Sequence, residues 1–223
     1  MGRKRKTDDS PNIPTISLIP KTPAQEELIA AIKKNDITFA VGSAGTGKTY
    51  CAMSMGLKYL LDGSVSRLVV VRPAVESGEK LGFLPGTIEE KMDPYLQPVY
   101  DTIRKHLGFT AKTTLLATGQ LEISPLSYMR GRTLDNAFVV FDEAQNATPD
   151  QMEMFLTRIG NGSTFVICGD PTQNDLSKNQ ICGMADACKR LTDMQGIAVV
   201  RFSAGDAVRH RLIPSILERY KRE

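Results

Sequence analysis

Ile37-Thr38-Phe39-Ala40-Val41-Gly42-Ser43-Ala44-Gly45-Thr46-Gly47-Lys48-Thr49 is the stretch that decides how this chain folds. Ile37–Val41 reads as a short buried strand, and apolar residues recur at helical spacing over Lys48–Leu61. Between them, Gly42–Thr49 fits G-x-x-x-x-G-K-[ST]. Glycines let such a loop turn tightly, so that its N–H groups converge on an anion. The N-terminus of the following helix adds partial positive charge at the same point. Lys48 is placed to reach β and γ phosphates, and Thr49 to offer a hydroxyl to Mg2+. Gly42, Ser43, Ala44, Gly45, Thr46, Gly47, Lys48, Thr49 and the adjoining Tyr50 are the expected nucleotide contacts. Such a string arises by chance in roughly one chain in a hundred of this length, and the strand-loop-helix setting lowers that further.

On either side of this stretch, strands and helices alternate. Thr22-Pro23 opens a helix through Lys34, with Thr22 as its cap. Arg67–Val71, Gln120–Ile123, Ala137–Phe141, Thr164–Cys168 and Ile197–Phe202 read as strands. Helices are expected over Glu89–Leu107, with Pro94 and Pro98 bending it, and over Pro149–Ile159, Gly183–Leu191 and Ile213–Lys221. Short apolar strands separated by helices predict an α/β fold, a parallel sheet with helices on both faces. Residues 21–223 read as one domain without internal repeats. Residues 1–20, with the basic cluster Arg3–Lys6 and three prolines, read as a flexible arm, either a solvated tail or a nucleic-acid tether.

The strand Ala137–Phe141 runs straight into Asp142 and Glu143. In an α/β sheet the carboxyl ends of the strands face the ligand crevice. Asp142 there would hold Mg2+, and Glu143 would orient or deprotonate an attacking water. Capping of the next helix is the plainer role for the two acids. The next strand delivers Gly169-Asp170-Pro171-Thr172-Gln173-Asn174-Asp175 to the same edge. Gln173 can both donate and accept, which suits a contact to the γ phosphate and its water. Gln25, at the start of the first helix, is either a surface residue or a partner for the N6 and N7 edge of adenine.

The bulk figures narrow the field. A chain of 223 residues with 41% hydrophobic and 24% charged residues suits one packed domain, and a net charge of +3 neither demands nor excludes a polyanionic partner. Cys51, Cys168, Cys182 and Cys188 lack zinc-site spacing and only two histidines accompany them, which argues against structural zinc and for reduced thiols in the cytoplasm. No apolar run approaches the ~20 residues of a membrane helix, so no membrane partner is expected.

TPAQ at 22–25, GSAGTGKT at 42–49, VRPAVESGEKLGFLPG at 71–86, PLSYMRGRTL at 125–134, FDEAQN at 141–146, GDPTQND at 169–175 and AVRHRLI at 207–213 together resemble the PhoH family. These are RecA-like P-loop NTPases similar to the first motor domain of superfamily 1 helicases. The resemblance implies ATP binding and hydrolysis with Mg2+, a link to RNA or single-stranded DNA, and homo-oligomeric ring hexamers. Some relatives carry fused RNA-binding or nuclease domains for which this chain has no room; it resembles a minimal version, suggesting a phage-encoded protein acting in the host cytoplasm. In related motors the loop Arg72–Lys80 touches the single-strand backbone, which nominates Ser77, Gly78 and Lys80 as phosphate contacts. Phe83 and Tyr95 would stack on bases or pack structurally.

One lobe lacks the arginines that a second lobe supplies, and an arginine finger is worth ~10³–10⁵ in rate. Arg209 is the first choice, ahead of Arg211, Arg130 and Arg132, acting from a neighbouring copy across a subunit interface or from the chain's own C-terminal segment. Three activities compete: a nucleic-acid-dependent ATPase motor, a slow ATP-gated oligomeric switch, and an ATP-dependent ribonuclease using Asp142, Asp170 and Asp175 for two metals. A small-molecule kinase would need an acceptor site that the sequence does not display.

Overall fold

The computed structural model describes residues 15–73, 96–177, 180–208 and 212–220. Six strands, β1 (Ile37–Gly42), β2 (Arg67–Arg72), β3 (Leu121–Pro125), β4 (Ala137–Phe141), β5 (Thr164–Gly169) and β6 (Ile197–Phe202), form one sheet in the order β3-β2-β4-β5-β1-β6. Every pairing is parallel, as in Ala40↔Cys168 and Val70↔Val140. Parallel strands buried on both faces need apolar residues at both parities, which explains the unbroken runs. Leu68, Val70, Phe138, Val140, Val166 and Cys168 point into one core layer. Val69, Val71, Val139, Phe141, Phe165 and Ile167 point into the other.

The helices are α1 (Pro23–Lys34), α2 (Lys48–Leu61), α3 (Gln97–Leu107), α4 (Ala111–Ala117), α5 (Pro149–Leu156), α6 (Gly183–Leu191) and α7 (Leu212–Tyr220). Apolar side chains of α1 to α4 build the first layer, and those of α5 and α6 the second. Thr22 caps α1 through its hydroxyl, and Thr148 with Gln151 forms a capping box on α5. Gly56 in α2 sits where a Cβ would come within 2.6 Å of Leu68 Cδ1 and 2.8 Å of Phe138 Cδ1. Glycine at that point lets the helix that begins with Lys48 lie close on the sheet.

Three expectations change. Ile16 is only 8% exposed and packs into the first core layer, inside the stretch expected as an arm over residues 1–20, of which residues 1–14 lie outside the described residues. α5 stops at Leu156 rather than Ile159, because Ile159 joins Leu134 in an isolated parallel bridge. α4 was not foreseen: two threonines weaken its helical signal, and the burial of Leu115 against the first layer supplies what propensity does not. The start of the helix expected from Glu89 lies outside the described residues; its described part begins at Gln97.

Candidate nucleotide site

All six strands end on one edge of the sheet, and the ends of β1, β2, β4 and β5, with β6 against the loop, build the site. β1 leads into the loop at 42–49. Gly42 (φ +144°) lies against the Phe202 carbonyl of β6, where a Cβ would overlap it. Gly47 (φ +85°) caps α2 in the left-handed region that favours glycine. Lys48 is 8% exposed, and its ammonium donates to the carbonyls of Gly42 (2.6 Å) and Ser43 (2.7 Å) and to Thr46 Oγ1 (3.4 Å). Burial pulls its pKa below the ordinary lysine range, opposed by the nearby Cys168, Asp170, Glu143 and Asp142.

From across the sheet, β4 presents Asp142. Thr49 Oγ1 donates to Asp142 Oδ1 at 2.7 Å, joining the first turn of α2 to the β4 tip. β5 lies between β1 and β4, so this contact spans the end of a whole strand. Burial drives the Asp142 pKa upward, against the Arg72 guanidinium and the Thr49 hydrogen bond, which favour the carboxylate. A hydroxyl and a buried carboxylate in contact at a phosphate loop are the oxygen donors Mg2+ takes, so these residues fit the ion.

Glu143 adopts φ 54°, ψ 37°, uncommon for a residue with a side chain. Arg72 Nη2 lies 3.5 Å from Glu143 Oε1, and Arg72 Nη1 lies 3.9 Å from Asp142 Oδ2. Gln145, buried and given no role by sequence reasoning, donates to Glu143 Oε2 (2.6 Å) and accepts the Asp170 N–H (3.1 Å). Its side chain therefore ties the β4 tip to the segment after β5. Gln173, in a short 3-10 turn (Pro171–Gln173), donates its amide to Asp170 Oδ2 at 2.9 Å. Asp170 Oδ1 accepts from the N–H and hydroxyl of Thr172, and Asp175 is held by Asn146. The carboxylates of Asp142, Asp170 and Asp175 thus have different direct partners; among the described residues no three His, Cys, Asp or Glu side chains form a metal-holding group.

Two nominated residues sit differently from a simple ligand contact. Gln25 is 4% exposed; its amide donates to the Thr46 carbonyl (2.9 Å) and accepts the Lys21 N–H (2.8 Å), so it braces the loop from behind. The Tyr50 ring turns to α3, stacked on His106 at 5.8 Å with its hydroxyl accepting from Lys105. Its N–H belongs to the first helical turn, where amides have no intrahelical acceptor. Of the arginines, Arg132 is clamped by Glu122 in a two-pronged pair, one prong at 2.9 Å, while Arg130 is exposed. Arg209, Arg211, Ser77, Gly78, Lys80, Phe83 and Tyr95 lie outside the described residues. The Val208 N–H, just before Arg209, donates to the Gly45 carbonyl at the loop tip (3.0 Å).

The family model for PhoH-like proteins matches residues 17–221. The chain belongs to the PhoH family. Among PhoH relatives, it is 49% identical over 203 residues to a PhoH-like protein of Bacillus subtilis (strain 168), covering 91% of this chain and 64% of the relative. It is 41% identical over 208 residues to Protein PhoH of Escherichia coli (strain K12), covering 92% of this chain and 59% of that one. The chain therefore spans about three fifths of the length of these PhoH proteins. In fold it is similar to the large terminase of a thermophilic bacteriophage, solved in complex with ADP. The TM-score is 0.52 at 14% identity, over 90% of this chain and 49% of the terminase. The PhoH chain is thus an α/β P-loop NTPase fold with a RecA-like parallel sheet. Among the described residues no helix is long and apolar enough to cross a membrane.

Proposed function

We propose that this chain binds ATP with Mg2+ and hydrolyses it, acting on RNA or single-stranded DNA in the cytoplasm as an oligomeric motor or weak helicase. The observation that carries the proposal is the 2.7 Å contact between Thr49 and Asp142, which brings phosphate-loop helix and acidic strand tip to one point. Bound Mg2+ would supply charge neutralisation at the phosphate oxygens from that pair. Lys48 exchanges its carbonyl partners for β and γ phosphate oxygens. Glu143 accepts the proton of the attacking water. Gln173, one hydrogen bond from Asp170, reports the γ phosphate to the β5 segment. Arg209 completes the site from a neighbouring copy in a ring hexamer; the pairing of Arg132 with Glu122 supports Arg209 over that arginine.

ATP turnover measured with and without RNA and single-stranded DNA tests this. Glu143→Gln should bind ATP without hydrolysing it, and Lys48→Ala should lose binding. Folded protein with no affinity for ATP and Mg2+ refutes the reading. Mixing Lys48→Ala with Arg209→Ala subunits should restore turnover if the arginine acts across an interface.

A second reading, a slow ATP-gated assembly switch, has its own support. The Val208–Gly45 hydrogen bond joins the loop tip to the segment leading to α7, whose Ile213, Ile216 and Tyr220 are exposed. Nucleotide-dependent assembly without nucleic-acid stimulation favours it.

A further inference from the structure

Both carboxylate oxygens of Glu143, the group assigned to activate water, are engaged by the protein itself. Arg72 takes Oε1 at 3.5 Å and Gln145 takes Oε2 at 2.6 Å. The two holders differ in kind. Gln145 is 3% exposed and locked at its other end by the Asp170 N–H, so it is a fixed part of the framework. Arg72 is the last residue of β2, its side chain is 16% exposed, and its guanidinium straddles Asp142 and Glu143 at ion-pair rather than close hydrogen-bond distances. β2 and β4 remain paired up to this point through the Asp142 N–H on the Val71 carbonyl (2.9 Å), which fixes where the guanidinium emerges.

A base must offer a lone pair to the water it activates. A guanidinium on one oxygen and an amide on the other aim the carboxylate at the protein. A planar cation with several donors is also the side chain that best matches a phosphodiester.

We infer that Arg72 restrains Glu143, and that a phosphate of a single-stranded nucleic acid arriving at the end of β2 draws the guanidinium away and frees the base for catalysis. Arg72 is thus a positioning residue that makes hydrolysis conditional on the polyanion, while Gln145 keeps the released carboxylate in place. The inference rests on the proposed ATPase reading and adds its regulation. It requires no movement of Lys48, Thr49 or Asp142.

The test is steady-state ATP turnover of the whole chain carrying Arg72→Ala or Arg72→Lys, alone and with poly(U) RNA or oligo(dT). Affinity for a non-hydrolysable ATP analogue and thermal unfolding serve as controls. Loss of a partly exposed ion pair should raise basal turnover of Arg72→Ala about fivefold, about 1 kcal/mol at 1.36 kcal/mol per decade. The stimulation ratio should fall towards one, with analogue affinity in the absence of Mg2+ unchanged, because Arg72 also faces Asp142. Arg72→Lys keeps the charge but cannot bridge both acids, and should fall between wild type and Arg72→Ala; it carries the test if Arg72→Ala does not melt cooperatively. A basal loss of ~10³ or more identifies Arg72 as an arginine acting on the transferring phosphate and overturns the restraint. Unchanged basal turnover with full stimulation overturns it equally. A basal rise in Arg72→Ala where wild type shows no nucleic-acid stimulation upholds the restraint and removes the nucleic acid as its trigger.

Discussion

Thr49→Val isolates the contact on which the site depends. Valine keeps the branched shape and loses only the hydroxyl, leaving Asp142 with the Arg72 guanidinium 3.9 Å away, the Glu143 N–H and the nearby Lys48 ammonium. The Asp142 side chain is 8% exposed, so water replaces the lost donor poorly. A hydrogen bond to a charged group is worth about 1.5–3 kcal/mol. Thr49 is itself half-buried, which places the expected loss at about 1.5–2 kcal/mol. In a domain of this size that corresponds to a melting temperature lower by about 3–8 °C.

The pH dependence carries the sign. Burial raises the folded pKa of Asp142, so between the unfolded value of about 3.9 and that raised value the folded state binds more protons, and this group's contribution improves as pH falls. The Thr49 hydrogen bond favours the carboxylate, so its removal raises the folded pKa further. The Thr49→Val deficit should therefore be largest at the alkaline end and shrink as pH falls through the Asp142 titration. Thermal melts of wild type, Thr49→Val and Thr49→Ser from pH 5 to pH 8, without nucleotide, measure it; Thr49→Ser should track wild type. A Thr49→Val melting temperature within about 1 °C of wild type at pH 8, or a deficit that grows towards acid, refutes the argument.

Gly56→Val should force α2 off Leu68 and Phe138 at a cost of about 1–3 kcal/mol, and also weaken ATP affinity, because α2 begins with Lys48 and Thr49; urea unfolding with nucleotide titration checks both. Burial pushes the thiols of Cys51 and Cys188 up to about 11 and that of Cys168 well above its ordinary range, while Cys182 is only half-buried. Iodoacetamide at pH 8 should label Cys182 first and the others only on unfolding, as read by peptide mass spectrometry. The Arg132 hydrogen bond holds the Glu122 carboxyl below the usual carboxylate range, so its contribution is present above the unfolded pKa and lost as pH falls through the depressed folded one. Glu122→Gln should cost no more than about 1 kcal/mol at pH 7, and the deficit should persist to about pH 4 before fading; pH-dependent urea unfolding decides it.

The loop, its strand and its helix were readable because their signals are local: a spacing of glycines and a change of hydrophobic period within a few residues. The strands β4 and β6 and the helices α2 and α6 fall on their expected ranges for the same reason. What sequence could not reach depends on distant pairing. Nothing in the chemistry of Gln145 distinguishes it from the neighbouring polar residues until β5 brings the Asp170 N–H against it. Arg72 read as the start of a nucleic-acid loop; its place beside Glu143 follows only from the β2–β4 register. Gln25 and Tyr50 were nominated by position along the chain, whereas the directions of their side chains are set by Thr46 and His106.

The order of the strands also has a consequence for biosynthesis. β1 is made more than a hundred residues ahead of both its neighbours, β5 and β6. Until Phe202 has emerged and paired beside Gly42, the glycine loop lacks one wall of its mould, and the nascent polypeptide has an open, apolar strand edge to shield. Competence to hold a nucleotide should therefore arrive only once β6 has been made.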